Sequence, residues 1–87
     1  MAEQQRIDVR DLPAPEPLQK ILPAVDALGA GEYLHVIHRR EPNCLFRLLE
    51  EVGFAHRHVG ADARFDIWIW RRDDALAELA VTKAMDR

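Results

Sequence analysis

Cysteine and long apolar runs are scarce in this sequence of 87 residues. Its single cysteine, Cys44, cannot form an internal disulfide and leaves a free thiol, which suits a reducing compartment. The apolar runs are only a few residues long, so no segment is expected to span a membrane. The first ten residues, MAEQQRIDVR, contain no apolar segment of signal-peptide length. We therefore expect a cytoplasmic protein with no membrane contact.

Long runs of basic residues are missing as well. The 12 lysines and arginines are outnumbered by 15 aspartates and glutamates, and the net charge is -3. No basic cluster exceeds the pairs Arg39-Arg40 and Arg71-Arg72, so a phosphate backbone finds no strong attraction and we expect no nucleic-acid partner. With 48% apolar and 31% charged residues, the composition is that of one globular domain over residues 1–87.

Prolines and apolar spacing divide the first half of the chain into elements. Ile7 and Val9 alternate with polar neighbours and predict a short strand, which the proline-rich stretch DLPAPEP ends. A helix with one apolar face is predicted from about Pro17, and Pro23 predicts a kink or a later first turn. The stretch EYLHVIH, residues 32–38, predicts a second strand.

The second half of the chain predicts two more helices and two strands. A helix follows the loop RREPN and ends at Gly53. FAHRHV predicts a third strand, GADA a turn and RFDIWIWRR a fourth strand. From Asp73 onward we predict a helix capped by an aspartate, with Leu76, Leu79 and Ala80 on one side.

The order β-α-β-α-β-β, with one more helix after it, predicts an α/β two-layer sandwich. Right-handed crossovers place the first two helices on one face of a mixed four-stranded sheet. The core of this domain spans about residues 6–72, and the extra C-terminal helix spans about residues 73–86.

One edge of the predicted sheet gathers residues that are able to carry chemistry. If the first two strands are parallel, both helices begin where these strands end, and helix N-termini bind anions and lower the pKa of a thiol. Arg10 and Glu16 reach this edge from the first loop. His38 and Glu41 reach it from the second loop, close to Cys44, the candidate reactive thiol. We predict that the first four of these residues form a binding edge.

These residues also have structural interpretations. Arg10 could tie down its loop through a carboxylate such as Asp8 or Asp11. His38 could carry out acid–base chemistry with Glu41, or it could fix its loop by a hydrogen bond. Both interpretations stay open at the level of sequence.

The opposite face of the sheet is predicted to carry an aromatic patch. In the last strand two tryptophans alternate with apolar residues that suit a helix-packed core. The C-terminal helix would cover the patch through Leu76 and Leu79, or else a homodimer or a partner protein would cover it. The patch comprises Tyr33, His35, Trp68 and Trp70.

The four histidines raise the question of a metal site. His56 and His58 share one face of a strand, and they are candidate ligands, with His35 as a third if it faces the same way. The sequence has no Cys-x-x-Cys motif, no His-Glu-x-x-His motif and no carboxylate-rich loop. We therefore expect no bound cofactor.

Four stretches resemble the TusA/SirA-like sulfur-carrier domains, namely DVRDLPAPEPL, GEYLHVIHRREP, LLEEVGF and FDIWIWRR. The resemblance covers Ile7 to about Arg72. The carriers show the pattern Asp-x-Arg-Gly-Leu-x-Cys-Pro-x-Pro, in which the cysteine takes a persulfide and hands it on. Ala14 stands at the position of that cysteine, and Asp11 replaces the glycine. The resemblance implies the carrier fold without the usual carrier activity. The matching positions are Asp8, Arg10, Leu12, Pro15 and Pro17.

A closer resemblance is to the cysteine-less branch of that superfamily, a domain of unknown function. That branch shows a Pro-Glu-Pro segment, like Pro15-Glu16-Pro17, and a His-x-x-acid-Pro segment, like the stretch from His38 to Pro42. Its members occur alone or fused to hemerythrin-like domains, often near anaerobic nitrogen-oxide respiration. The resemblance therefore implies a link to that metabolism.

Three hypotheses of function follow. The first is a non-enzymatic accessory module that binds a partner protein at the predicted edge. The second is a sulfur or redox transfer protein that uses Cys44. The third is a metal or haem binder that uses histidines.

Overall fold

A computed structural model describes residues 4–86 as a four-stranded sheet with three helices. The elements are β1 (Gln4–Asp8), α1 (Glu16–Asp26), β2 (Tyr33–His38), α2 (Asn43–Glu51), β3 (Phe54–Ala61), β4 (Arg64–Arg71) and α3 (Ala75–Met85). The strand order is β1-β2-β4-β3, in which β1 and β2 are parallel and β4 is antiparallel to both of its neighbours. The predicted α/β class and its mixed sheet are confirmed. Across residues 4–86, every helix is too short or too polar to cross a membrane.

The helices α1 and α2 cover one face of the sheet and enclose the main core. Ile21 and Val25 of α1 pack there together with Leu45 and Leu49 of α2. Each such side chain contributes roughly 1.5–3 kcal/mol when it is fully buried. The strands supply the other side of this core through Leu34, Val36, Ile67 and Ile69.

The prolines of α1 act differently at its two ends. Pro17 lies in the first turn, where a missing N–H costs nothing, so the helix begins at Glu16 as the sequence suggests. Pro23 does not delay that start, and α1 continues through it to Asp26. Because Pro23 is exposed, the carbonyl that loses its helical partner lies on the solvent side, where water can replace the bond.

The predicted end of the second helix is confirmed. Val52 caps α2, and Gly53 follows it with a φ of +88°, a backbone conformation that favours glycine. The chain reverses at this point and enters β3 directly at Phe54.

The helix α3 packs on the opposite face of the sheet, but not through the predicted leucines. Ala77 and Val81 are buried there, whereas Leu76 is 71% exposed and Leu79 is 52% exposed. The predicted leucine contact is therefore wrong. The apolar residues of α3 are distributed over all sides of the helix, so their spacing does not specify which face packs on the sheet. Small side chains let the helix approach the flat tryptophan rings closely, and this favours the alanine and valine face.

The aromatic patch expected on an open sheet face is covered by the chain itself. Tyr33, Trp68 and Trp70 form a second core cluster with residues of α3. His35 is buried as well, stacks on Trp68 with 4.8 Å between ring centroids, and places Nε2 2.9 Å from Oδ1 of Asp66. The face is therefore not open, and the alternative in which the C-terminal helix covers the patch is confirmed, because α3 buries Tyr33, Trp68 and Trp70 within one chain.

Asp74 fixes the position at which α3 begins. Its Oδ1 accepts a hydrogen bond from the backbone N–H of Ala77 at 3.0 Å, which is an N-cap and confirms the predicted aspartate cap. Its Oδ2 accepts from the N–H of Gly31 at 2.6 Å, just before β2. One carboxylate thus joins the start of α3 to the entry of a central strand.

Candidate functional site

The carboxyl ends of β1 and β2 lie at one edge of the sheet, and α1 and α2 begin there. The two strands run in parallel, with Gln4 opposite Tyr33 and Asp8 opposite Ile37. Pro15 and Pro42 occupy the N-cap positions of the two helices and offer no side-chain cap. The first-turn N–H groups and the positive ends of both helix dipoles therefore face this edge.

A cavity of about 430 Å³ opens at this edge, between the starts of the two helices. Its size is that of a site for a small ligand or for a large side chain. The wall is mostly apolar, and its polar groups come from residues 38–40 and from Cys44. We call it the edge cavity. Apolar side chains in its wall include Val9, Leu12, Pro17, Leu18, Ile21 and Leu45.

Ala14 and Cys44 both line the edge cavity. Ala14 offers only a methyl group, so it extends the apolar wall and cannot act as a nucleophile. Cys44 is exposed and is the second residue of α2. Ala14 and the one thiol of the chain thus share a single cavity.

His38 is the one residue of the predicted binding edge that lines the edge cavity. Its Nδ1 accepts a hydrogen bond from the backbone N–H of Arg40 at 3.0 Å, so the neutral ring carries its proton on Nε2. Burial first, and then the positive charge of Arg39, lower the pKa of His38 below its usual value. His38 is therefore a neutral hydrogen-bond donor at physiological pH.

The predicted pair of His38 and Glu41 is not formed. Oε1 of Glu41 lies 3.3 Å from Nε2 of His58, on the adjacent strand β3. The alternative interpretation of His38, a hydrogen bond that fixes its loop, is the one that the structure shows. The geometry thus supplies no acid–base couple between these two loop residues.

Arg10 and Glu16 lie outside the wall of the edge cavity. Arg10 makes a bidentate contact with Asp8, with Nη2 2.7 Å and Nε 3.0 Å from the two carboxylate oxygens. This hydrogen bonding lowers the pKa of Asp8 to about 2. The structural interpretation of Arg10 is confirmed, with Asp8 as the carboxylate. Glu16 is exposed in the first turn of α1, where the helix dipole favours a negative charge.

His56 and His58 share a face of β3, and both pack against Phe46 of α2. Phe46 stacks on the two imidazoles at 4.4 and 4.6 Å between ring centroids. Nε2 of His56 lies 2.9 Å from Oε2 of Glu50, so each histidine has a carboxylate partner from α2 or the loop before it. These contacts hold α2 on the edge strand of the sheet.

The histidines do not come together as a metal site. His35 lies on the α3 side of the sheet, so it does not face His56 and His58 and cannot serve as a third ligand. Within residues 4–86, no group of three or more His, Cys, Asp or Glu residues is placed to hold a metal ion.

The edge cavity itself and the two arginines at it were not predicted from the sequence. Arg39 and Arg40 are exposed and line the cavity. A signal was present in the sequence, since prolines flank both helix starts and leave their first turns without polar caps. The size of the space between these starts depends on side-chain packing and has no signature of its own.

The fold and the edge cavity define a small α/β domain with an apolar pocket at the carboxyl edge of its parallel strands. A family model described as an uncharacterized conserved protein, DUF2249, matches residues 6–71. The chain therefore belongs to the DUF2249 family, and α3 lies after the matched segment. No curated protein and no solved structure matches the chain.

Proposed function

We propose that this protein is a non-enzymatic binding module, whose edge cavity takes an apolar side chain of a partner protein. The observation that supports this most is the edge cavity, a mostly apolar space of about 430 Å³ with Ala14 in its wall. By the resemblance to the sulfur carriers, Ala14 stands at the position of their cysteine, so this chain has the cavity without a nucleophile at that position. Partner interfaces commonly use an apolar anchor in a pocket with a polar rim.

Among residues 4–86, the side chains at this edge are not placed together for catalysis, and this agrees with a binding role. His38 is fixed by its own loop, Glu41 is engaged by His58, and Arg10 is engaged by Asp8. General acid–base catalysis needs a proton donor and acceptor that reach one substrate atom. The resemblance to the cysteine-less branch of the TusA/SirA-like superfamily extends the proposal to an accessory role in anaerobic or nitrogen-oxide metabolism.

Filling the edge cavity is expected to abolish partner binding without unfolding the protein. Random peptides of about twelve residues, displayed on phage, are selected on the intact protein and counter-selected on the Ala14→Phe variant. We expect enriched peptides that share an apolar residue and lose at least about tenfold in affinity on that variant. Ala27→Phe is the matched control, since Ala27 is an exposed alanine at the other end of α1.

The circular dichroism and thermal unfolding of both variants show whether they fold. If Ala14→Phe does not fold, Cys44→Phe closes the same cavity from α2. A selection in which no peptide distinguishes the wild type from a folded, cavity-filled variant overturns the proposed function.

Sulfur transfer is a second candidate function, and the observation that favours it is that Cys44 is exposed and lines the edge cavity. A thiolate at Cys44 would attack the outer sulfur of a persulfide, form a new Cys44 persulfide and release the donor as a thiolate. The binding proposal predicts no such transfer. Intact-mass spectrometry after incubation with a persulfide donor is therefore expected to show no stable gain of one sulfur atom. A gain that disappears in Cys44→Ala supports sulfur transfer instead.

A further inference from the structure

Apolar side chains continue the wall of the edge cavity along both helices. Leu22 lies one turn after Leu18 on the same side of α1, and Leu48 lies one turn after Cys44 on the same side of α2. Leu22 is 36% exposed and Leu48 is 40% exposed, although both belong to helices that cover the main core. Val52 follows Leu48 one turn further and is more exposed still.

The edge cavity and the side chains of Leu22, Leu48 and Val52 together form a surface that we call the groove. Its length suits contact with a helix of a partner protein. From Cys44 to Val52 it extends over two turns of α2, roughly 12 Å. A ligand no larger than the edge cavity would leave these side chains uncovered. A longer apolar segment, with side chains at helical spacing, would cover them.

Both charged residues in the wall of the edge cavity, at one end of the groove, are basic. Arg39 and Arg40 are exposed at the edge cavity, and the arginine–carboxylate pairs found within residues 4–86 use Arg10 and Arg64 instead. The uncapped starts of α1 and α2 add partial positive charge at the same end. A partner with a carboxylate at this end, and apolar residues beyond it, is complementary to the groove in both charge and polarity.

We propose that the groove binds an acidic amphipathic helix of a partner protein. One apolar residue of that helix enters the edge cavity, and the next ones pack on Leu22 and Leu48. Carboxylates at the cavity end of the helix contact Arg39 and Arg40. This proposal rests on the proposed function and specifies the chemistry of the partner, in the helix-in-groove mode of recognition.

Two synthetic peptides test the proposal. Both have the same leucine and phenylalanine residues at helical spacing, but one carries glutamates on its polar face and the other carries lysines. Each is labelled with fluorescein, and its affinity for the intact protein is measured by fluorescence anisotropy. The glutamate peptide is expected to bind the wild type about tenfold more tightly than the lysine peptide.

Three double variants locate the contacts. Arg39→Glu with Arg40→Glu is expected to remove the preference for the glutamate peptide. Leu22→Asp with Leu48→Asp is expected to weaken both peptides by about tenfold or more. The matched charge control is Arg6→Glu with Lys83→Glu, at exposed residues outside the groove, and it is expected to retain the preference.

The possible outcomes separate this proposal from the proposed function. If both peptides bind equally and the two-arginine variant changes neither affinity, the proposal of an acidic partner is overturned. The proposed binding of an apolar side chain in the edge cavity is then still supported. If neither peptide binds but phage selection yields cavity-dependent peptides, the helical partner is overturned and the proposed function is supported. If neither peptide binds and the selection also fails, both proposals are overturned.

Discussion

Replacing Trp70 by alanine is expected to lower the free energy of unfolding by about 3–5 kcal/mol. Trp70 is 2% exposed, lies between the sheet and α3, and belongs to the same cluster as Ala77 and Val81. Small neighbours cannot expand to fill the space that an indole leaves, so the cavity remains. A domain of this length has a total stability of about 5–15 kcal/mol, and the loss is therefore a large share of it.

Two companion variants show where this loss comes from. Leu76→Ala removes an apolar side chain from the exposed side of α3, so it is expected to cost less than about 0.5 kcal/mol. Trp70→Phe retains a ring and removes the indole N–H, which has no hydrogen-bond partner among residues 4–86. Its cost is expected to lie between those of the other two variants. Urea unfolding followed by circular dichroism measures all three. Equal losses for Trp70→Ala and Leu76→Ala would contradict the packing of α3 on its tryptophan side.

The fold was predictable from the sequence because each element carries a local signal that agrees with the whole. The alternation in RFDIWIWRR specifies β4, and the glycine after the second helix specifies its end. The packing face of α3 was not predictable. Two leucines suggest one face and two small residues another, and the choice depends on the tryptophans that the helix meets.

The edge of the sheet at which the site lies was predictable from the topology. The side-chain contacts within the site were not predictable. Parallel strands followed by helices place both loops together whatever their residues are. Which carboxylate Arg10 or His58 contacts depends on the path of each loop. Glu41 pairs with His58 because the loop after β2 passes beside β3, a proximity that spans 17 positions and leaves no pattern in the sequence.

The local pair of Arg10 and Asp8 shows the contrasting case. These residues are two apart, so a side-chain contact between them needs only the local geometry at the end of β1. Asp8 was therefore predictable from the sequence as one of the carboxylates that Arg10 could contact. The edge cavity lies at the other extreme, since its volume depends on the distance between α1 and α2.

Replacing Asp74 by alanine is expected to lower the free energy of unfolding by about 2 kcal/mol at neutral pH. The substitution removes the N-cap of α3 and leaves the N–H of Gly31, a buried residue, without its carboxylate acceptor. Asp74→Asn retains an oxygen for the N–H of Ala77 but not a second one for Gly31. Its expected cost is therefore about half as large. Urea unfolding of the three proteins at pH 7 measures the difference.

The cost of Asp74→Ala is also expected to depend on pH, with a definite sign. The N–H groups of Gly31 and then Ala77 hold the pKa of Asp74 below its ordinary value of 3.8. A carboxylate with a lowered pKa in the folded state stabilises the fold fully at pH values above its unfolded pKa. That contribution is lost as the pH falls through the folded pKa. The free energies of unfolding of the wild type and Asp74→Ala should therefore differ most at pH 5–7, about one unit or more above the unfolded pKa, and converge below pH 3.8.

Asp74→Asn is the control for this pH dependence. It has no charge to lose at this position, so the difference between its free energy of unfolding and that of Asp74→Ala should stay constant with pH. A gap between wild type and Asp74→Ala that widens in acid would show that the carboxylate does not join α3 to the entry of β2.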